Sequence, residues 1–67
     1  MRGLNTPVVR VTWFDDKPQV AKVQVAAEIT QTLIKHTGVD PKWVHVVFED
    51  VPARNWAVAG ELFEPGK

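Results

Sequence analysis

The stretch that decides the fold runs from Pro7 to Phe14 and reads PVVRVTWF. Six of these eight residues are apolar or aromatic, and the high valine content is typical of a buried β-strand. Proline at the first position of a strand removes an N–H group that no ladder hydrogen bond needs. The stretch therefore predicts a strand over residues 8–14, with one fully buried face and one mixed face.

A long helix is predicted next, over residues 18–37. Apolar side chains recur there at three- and four-residue spacing and form a stripe that is wider than one sheet face requires. Asp15 and Asp16 precede the helix as candidate N-caps, and Gly38 is suited to end it. The breadth of the stripe predicts that the helix also contacts a neighbouring subunit.

A second strand is predicted over residues 43–49, WVHVVFE. A strand, a helix and a strand in that order imply a parallel pair. The remainder of the chain contains proline, glycine and a short apolar stretch, which predict a loop and a short hairpin or edge strand. The predicted class is α/β (α+β), built on one β-α-β unit.

The size and composition of the chain favour an oligomer. Its 67 residues predict one domain, which we place at residues 7–67, close to the lower size limit for a fold that is stable alone. It has no cysteine, and two histidines are too few for an all-protein zinc cage. Three tryptophans and three phenylalanines need more interior than a small monomer offers, so we expect partner subunits to supply it.

The charge balance excludes some function classes. Eight basic and eight acidic residues give a formal charge of zero, which disfavours a nucleic-acid binder. No apolar run approaches the ~20 residues that span a bilayer, and the first residues lack the apolar core of a secretion signal. We therefore expect a cytoplasmic protein without a membrane partner.

Residues 1–6, MRGLNT, predict an N-terminal arm in front of the domain. Initiator methionine is normally removed before a small residue, and Arg2 is not small, so we expect the arm to be retained. The nitrogen of Pro7 is then an amide without a free lone pair. If the arm were removed, that nitrogen would be a secondary amine and a candidate base.

Four features along the chain, taken with their spacing, resemble the tautomerase superfamily, specifically the 4-oxalocrotonate tautomerase type. A strand begins at Pro7, Lys17 stands just before the long helix, His45 lies in the second strand, and Trp56 belongs to the stretch V-P…N-W-x-V-x-G. The resemblance extends from Pro7 to about Phe63, and the combined spacing is its specific part.

The resemblance implies both an assembly and a reaction. Two β-α-β subunits pair into a four-stranded sheet, and three such dimers form a hexamer, a trimer of dimers, with active sites between subunits. The reaction is enol–keto tautomerisation of small 2-oxo or 2-hydroxydienoate acids, so a small carboxylate ligand is expected. No cofactor and no metal take part.

Five residues match the family's functional positions or lie beside them. Pro7 matches the catalytic proline, Lys17 replaces a substrate-binding arginine, and His45 falls at a second cationic position. Trp56 replaces the aromatic wall of the pocket, and Arg54 could supply a guanidinium. Each also has a purely structural interpretation: a strand-opening proline, a lysine paired with a neighbouring aspartate, a sheet histidine, an interface tryptophan and a solvated arginine.

Two functions remain open at this point. The first is a tautomerase whose activity is weak or impaired because Pro7 is not N-terminal. The second is a non-catalytic oligomer whose interface pocket binds a small anion or is purely structural.

Overall fold

The computed structural model describes residues 6–64, which form a β-α-β unit followed by a hairpin. The first and second strands, β1 and β2, are parallel neighbours, and the long helix α1 connects them. A short antiparallel pair, β3 and β4, follows. The bounds are β1 Val8–Phe14, α1 Gln19–Thr37, β2 His45–Val51, β3 Ala57–Val58 and β4 Glu61–Leu62. The predicted fold class is confirmed.

The β1–β2 register sorts the side chains into a covered face and an open face. Val11 is paired with Phe48 in register, and these two side chains lie half-buried on the covered face, where α1 packs. The opposite face keeps Val8 58% and Val47 40% exposed. The alternation predicted for both strands is present, because successive side chains of a strand point to opposite sides.

No side chain among residues 6–64 is fully buried, so the expectation of a fully buried strand face is wrong for a single chain. The reason is geometric, since one helix over two strands covers only part of one face. Within α1, Val25 and Ile29 are half-buried, whereas Val20 and Val23 are 61% and 59% exposed. Apolar side chains therefore remain uncovered on the helix as well as on the open sheet face.

The ends of two elements differ from the sequence-based prediction. β2 begins at His45 because Pro41–Trp43 forms a 3-10 turn, in which the Asp40 carboxylate accepts the Lys42 N–H at 3.0 Å. The helix begins after Pro18, which supplies no side-chain cap, so neither predicted aspartate is the N-cap. The predicted stop at Gly38 is confirmed. Its φ is 73°, and its N–H donates to the Ile34 carbonyl at 2.9 Å.

The hairpin turns at Ala59 and Gly60, whose φ angles are 55° and 84°. Positive φ at both central residues is the geometry of a two-residue turn between antiparallel strands. At the other end of the chain, the predicted arm at residues 1–6 lies outside the described residues except for Thr6, which is exposed. The domain boundary at residue 7 stays a prediction.

Candidate active site

Pro7 and His45 lie together at the edge of the sheet where both strands begin, the amino edge. The backbone N–H of His45 donates to the Pro7 carbonyl at 3.0 Å, which extends the parallel ladder by one bond. Pro7 is half-buried and His45 is exposed. The nitrogen of Pro7 is joined to Thr6 by a peptide bond, so in this chain it is neither a donor nor a base.

Lys17 lies at the opposite edge, the carboxyl edge, where both strands end. Its Nζ donates to Asp16 Oδ1 at 2.6 Å and stands 5.3 Å from the centre of the Trp13 ring. The hydrogen bond from Lys17 holds the pKa of Asp16 below its ordinary value. Lys17 is therefore not a free cation in the single chain, although its side chain remains 34% exposed.

Trp56 belongs to an aromatic cluster at the same carboxyl edge. Its ring packs on the Phe14 ring with centroids 4.4 Å apart. The Phe63 ring also packs on Phe14, with centroids 5.2 Å apart. The Phe63 N–H donates to the Trp56 carbonyl at 2.8 Å, which fixes the start of the hairpin. A depression of about 270 Å³ adjoins the cluster; it is lined by Phe14, Asp15, Asp16, Ala53 and Phe63.

Arg54 lies in the short 3-10 turn Ala53–Asn55, which follows the end of β2. Its side chain is exposed. Within the part of the chain that the structure describes, it forms no ion pair. Arg54 thus places at the carboxyl edge, near the aromatic cluster, a guanidinium that has no ion-pair partner among residues 6–64.

A second polar group at the carboxyl edge centres on Asp50, which the sequence analysis does not single out. The Trp13 indole N–H donates to Asp50 Oδ1 at 2.8 Å, and Lys22 forms an ion pair with Asp50 Oδ2. The hydrogen bonds from Lys22 and then from Trp13 hold the pKa of Asp50 below its ordinary value. The parallel register places position 13 beside position 50, and no local sequence pattern gives that register.

The five predicted site residues therefore fall into two groups that one chain does not bring together. Pro7 and His45 occupy the amino edge, and Lys17, Arg54 and Trp56 occupy the carboxyl edge. A strand rises about 3.3 Å per residue, so the seven steps from Pro7 to Phe14 separate the two edges by about 23 Å. A small carboxylic acid does not span that distance.

Two further features of residues 6–64 limit the kinds of site present there. No helix in this range is long and apolar enough to cross a membrane. Histidine, aspartate and glutamate side chains do not converge in threes as a metal site would require.

Comparison with known proteins identifies the family. The tautomerase family model, described as "Tautomerase enzyme", matches residues 7–65. The chain belongs to the tautomerase family. It is 55% identical over 62 residues to Probable tautomerase RSp1151 of Ralstonia nicotianae, covering 90% of this chain and 95% of that protein.

Two more distant members connect the chain to the 4-oxalocrotonate tautomerase type. The 2-hydroxymuconate tautomerase of Pseudomonas putida is 28% identical over 54 residues, covering 81% of this chain and 86% of that protein. The crystal structure of a 4-oxalocrotonate tautomerase homologue, TTHB242, superposes with a TM-score of 0.81 at 25% identity, covering 90% of this chain and 95% of that chain. The resemblance found in the sequence is confirmed.

Proposed function

We propose that this protein is a tautomerase that transfers a proton between the enol and keto forms of small 2-oxo or 2-hydroxydienoate acids, with Pro7 as the base. We propose further that turnover is impaired as long as residues 1–6 remain attached. One observation supports both parts: the family match begins at Pro7, whose nitrogen is acylated by Thr6 in this sequence.

The proposed reaction needs a free amine at Pro7. The amine removes the proton of the enol hydroxyl, and the C–O bond becomes a carbonyl as the electron pair shifts along the diene. The proton is then delivered to a carbon atom of the substrate. A positioned general base typically contributes about 10²–10⁴-fold to rate. The amide nitrogen of an internal proline has delocalised its lone pair and cannot take this part.

The remaining groups have complementary roles in this proposal. Lys17 or Arg54 holds a substrate carboxylate, His45 polarises the carbonyl oxygen, and Trp56 forms the apolar wall. Since Lys17, Arg54 and Trp56 lie about 23 Å of strand away from Pro7, the complete site requires a second copy whose carboxyl edge faces the amino edge of the first. A homo-oligomer, and by resemblance a hexamer, supplies this arrangement.

The uncovered apolar side chains support that assembly. Val8 and Val47 on the open sheet face, and Val20 and Val23 on α1, are each at least 40% exposed in the single chain. Burial of apolar area contributes roughly 25 cal/mol per Å², so contact between copies through these surfaces stabilises both.

A second function is favoured by the state of Pro7 and Lys17 in this chain. With Pro7 acylated and the Lys17 ammonium bound by Asp16, the interface pocket has neither its base nor a free lysine. The protein would then be a non-catalytic member of the family that binds a small anion through Arg54 or has a structural role.

Three versions of the chain distinguish these functions: the full sequence, a form that begins at Thr6, and a form that begins at Pro7. Ketonisation of 2-hydroxymuconate, followed by ultraviolet absorbance, should be at least about 10²-fold faster for the form beginning at Pro7. The form beginning at Thr6 is the matched control, because it lacks the rest of the arm but keeps the amide; it should match the full chain. Intact mass confirms each N-terminus.

Two results would contradict the proposal. Equal activity of the full chain and the form beginning at Pro7 would exclude Pro7 as the base. Inactivity of all three forms would support the non-catalytic function.

The assembly is tested separately by sedimentation of Val47→Asp beside Val47→Thr. The aspartate places a charge on the open sheet face and should yield smaller species, because burying an unpaired carboxylate is costly. Threonine keeps the branched shape without the charge and should leave the oligomer intact. A wild-type chain that sediments as a monomer would contradict the proposed assembly.

A further inference from the structure

We propose that Trp13 is a positioning residue that acts through Lys17: its ring holds the lysine ammonium at the carboxyl edge, where a substrate carboxylate would take the place of Asp16, and Asp50 fixes the ring. This inference rests on the proposed function, and it assigns a role to two side chains that do not themselves touch substrate.

The Lys17 ammonium is held from two sides. Its Nζ stands 5.3 Å from the centre of the Trp13 ring, within the ~6 Å over which an aromatic face attracts a cation. The Asp16 carboxylate lies 2.6 Å from the same Nζ. A lysine side chain is otherwise a flexible four-carbon stem. With an aromatic face and a carboxylate both in contact, the ammonium occupies one region of the carboxyl edge.

The Trp13 ring is itself held in place. The indole N–H donates to Asp50 Oδ1 at 2.8 Å, and Phe48 stacks on the ring with centroids 5.2 Å apart and an interplanar angle of 23°. Asp50 is in turn bound by Lys22 from α1. The ring is thus fixed by contacts from β2, with α1 holding the carboxylate, and it cannot turn away from Lys17 without breaking them.

The consequence is pre-organisation of a binding group. A side chain that is ordered before the ligand arrives loses less conformational freedom on binding, which raises affinity without a new contact to the ligand. The attraction between an exposed ammonium and an aromatic ring corresponds to about a two- to fivefold change in an equilibrium constant. That is the expected size of the effect on carboxylate affinity.

A double-mutant cycle separates this role from a structural one. Calorimetry would measure binding of cis,cis-muconate, which has the carbon chain of 2-hydroxymuconate without its hydroxyl and so does not tautomerise, to the full chain and to the form beginning at Pro7. Trp13→Leu should weaken binding about two- to fivefold, and Trp13→Phe, which keeps an aromatic face, should weaken it less. In a Lys17→Met background, Trp13→Leu should not weaken muconate binding any further.

Asp50 is tested by a matched pair of variants. Asp50→Asn keeps an oxygen that accepts the indole N–H, whereas Asp50→Ala does not. Muconate affinity should stay near wild type for Asp50→Asn and fall for Asp50→Ala. Equal losses for the two variants would mean that the charge of Asp50, and not its hold on the ring, is what matters, and this would overturn the assigned role.

A readout without ligand keeps the test decisive if a variant folds poorly or binds nothing. The Lys17 side-chain methylene protons should resonate upfield in the wild-type spectrum because of the Trp13 ring current, and should return to ordinary positions in Trp13→Leu. Ordinary positions in the wild type, or additive losses of affinity in the double mutant, would overturn the role of Trp13. Absence of muconate binding to both wild-type forms would instead overturn the proposed function.

Discussion

The two edges of the β1–β2 sheet differ in how completely they are built. At the amino edge, Pro7 and His45 share one backbone hydrogen bond, and His45 is exposed. At the carboxyl edge, a three-ring aromatic cluster around Phe14 lies beside two ion pairs. The edge that carries the candidate base is therefore sparse, and the edge that carries the candidate binding groups is already packed.

This difference is what the proposed composite site requires of a very small chain. Side chains that must be held in place are fixed within the subunit, where contacts such as Trp13 with Asp50 and Phe14 with Trp56 are available. The proposed base needs only the regular geometry of a strand start. In the proposed assembly, a second copy would complete the site without having to order either edge.

The largest expected effect comes from a complementation experiment between the two edges. One parent is the form beginning at Thr6, with an acylated Pro7; the other begins at Pro7 but carries Lys17→Met and Arg54→Met. The first parent should ketonise substrate about 10²-fold or more slowly than the form beginning at Pro7, because it lacks the base. The second parent should also be slower, because no cation at its carboxyl edge holds the substrate carboxylate. Refolded together, they should be clearly more active than either parent, because some sites combine a free Pro7 with an intact carboxyl edge.

The control is each parent refolded alone at the same total concentration. A mixture no more active than the average of its parents would mean that the two edges do not form a common site.

The next largest effect is a difference in stability between variants at the two edges. Trp56→Ala should lower the free energy of unfolding by about 2 kcal/mol. This is less than the loss expected on truncating a fully buried tryptophan, because Trp56 is only half-buried. His45→Ala at the exposed amino edge should stay within about 0.5 kcal/mol of wild type. Urea unfolding measures both, and Trp56→Phe, which retains a ring against Phe14, should recover most of the loss.

A larger loss for His45→Ala than for Trp56→Ala would reverse the comparison. It would place the more important contacts at the amino edge.

A smaller effect is expected at two positions with left-handed backbone, one at the end of α1 and one in the hairpin that packs on the carboxyl edge. Gly38 has φ 73° and Ala59 has φ 55°. A side chain in this region costs about 1 kcal/mol or more. Gly38→Ala should therefore destabilise the chain by about that amount, and Ala59→Gly should not destabilise it, as thermal unfolding of the pair would reveal.

The smallest effect is a pH dependence at the carboxyl edge. The pKa of Asp50 is lowered from its ordinary value of 3.8 by the hydrogen bonds from Lys22 and Trp13. The folded state therefore binds the proton less readily than the unfolded state, so the stabilisation is complete above pH 3.8 and is lost as pH falls through the lowered value. Because this carboxylate is exposed, the change should be small.

Urea unfolding at a series of acidic pH values measures this dependence. Asp50→Asn should reduce the slope of stability against pH below about 4, and Lys22→Met should reduce it similarly. An unchanged slope in both variants would mean that the Asp50 contacts do not contribute to stability.

The elements of the fold followed from local sequence patterns, whereas three of their boundaries, both ends of β2 and the start of α1, did not. Valine-rich alternation and the glycine at position 38 are short-range signals, and they located β1 and the end of α1. The start of β2 moved by two residues, from 43 to His45, because Asp40 and Pro41 form a 3-10 turn. The helix start moved by one residue, from 18 to Gln19, because Pro18 has an extended backbone, with φ −72° and ψ 157°, and is itself the N-cap.

The sequence by itself determined the β-α-β order, the family and the identity of the five candidate residues, because each depends on residue types at fixed spacing. Only the tertiary structure decided that these residues divide between two edges and that Trp13 binds Asp50, 37 positions away. Pairing between distant segments depends on the register of parallel strands and on what α1 covers, which no local pattern encodes.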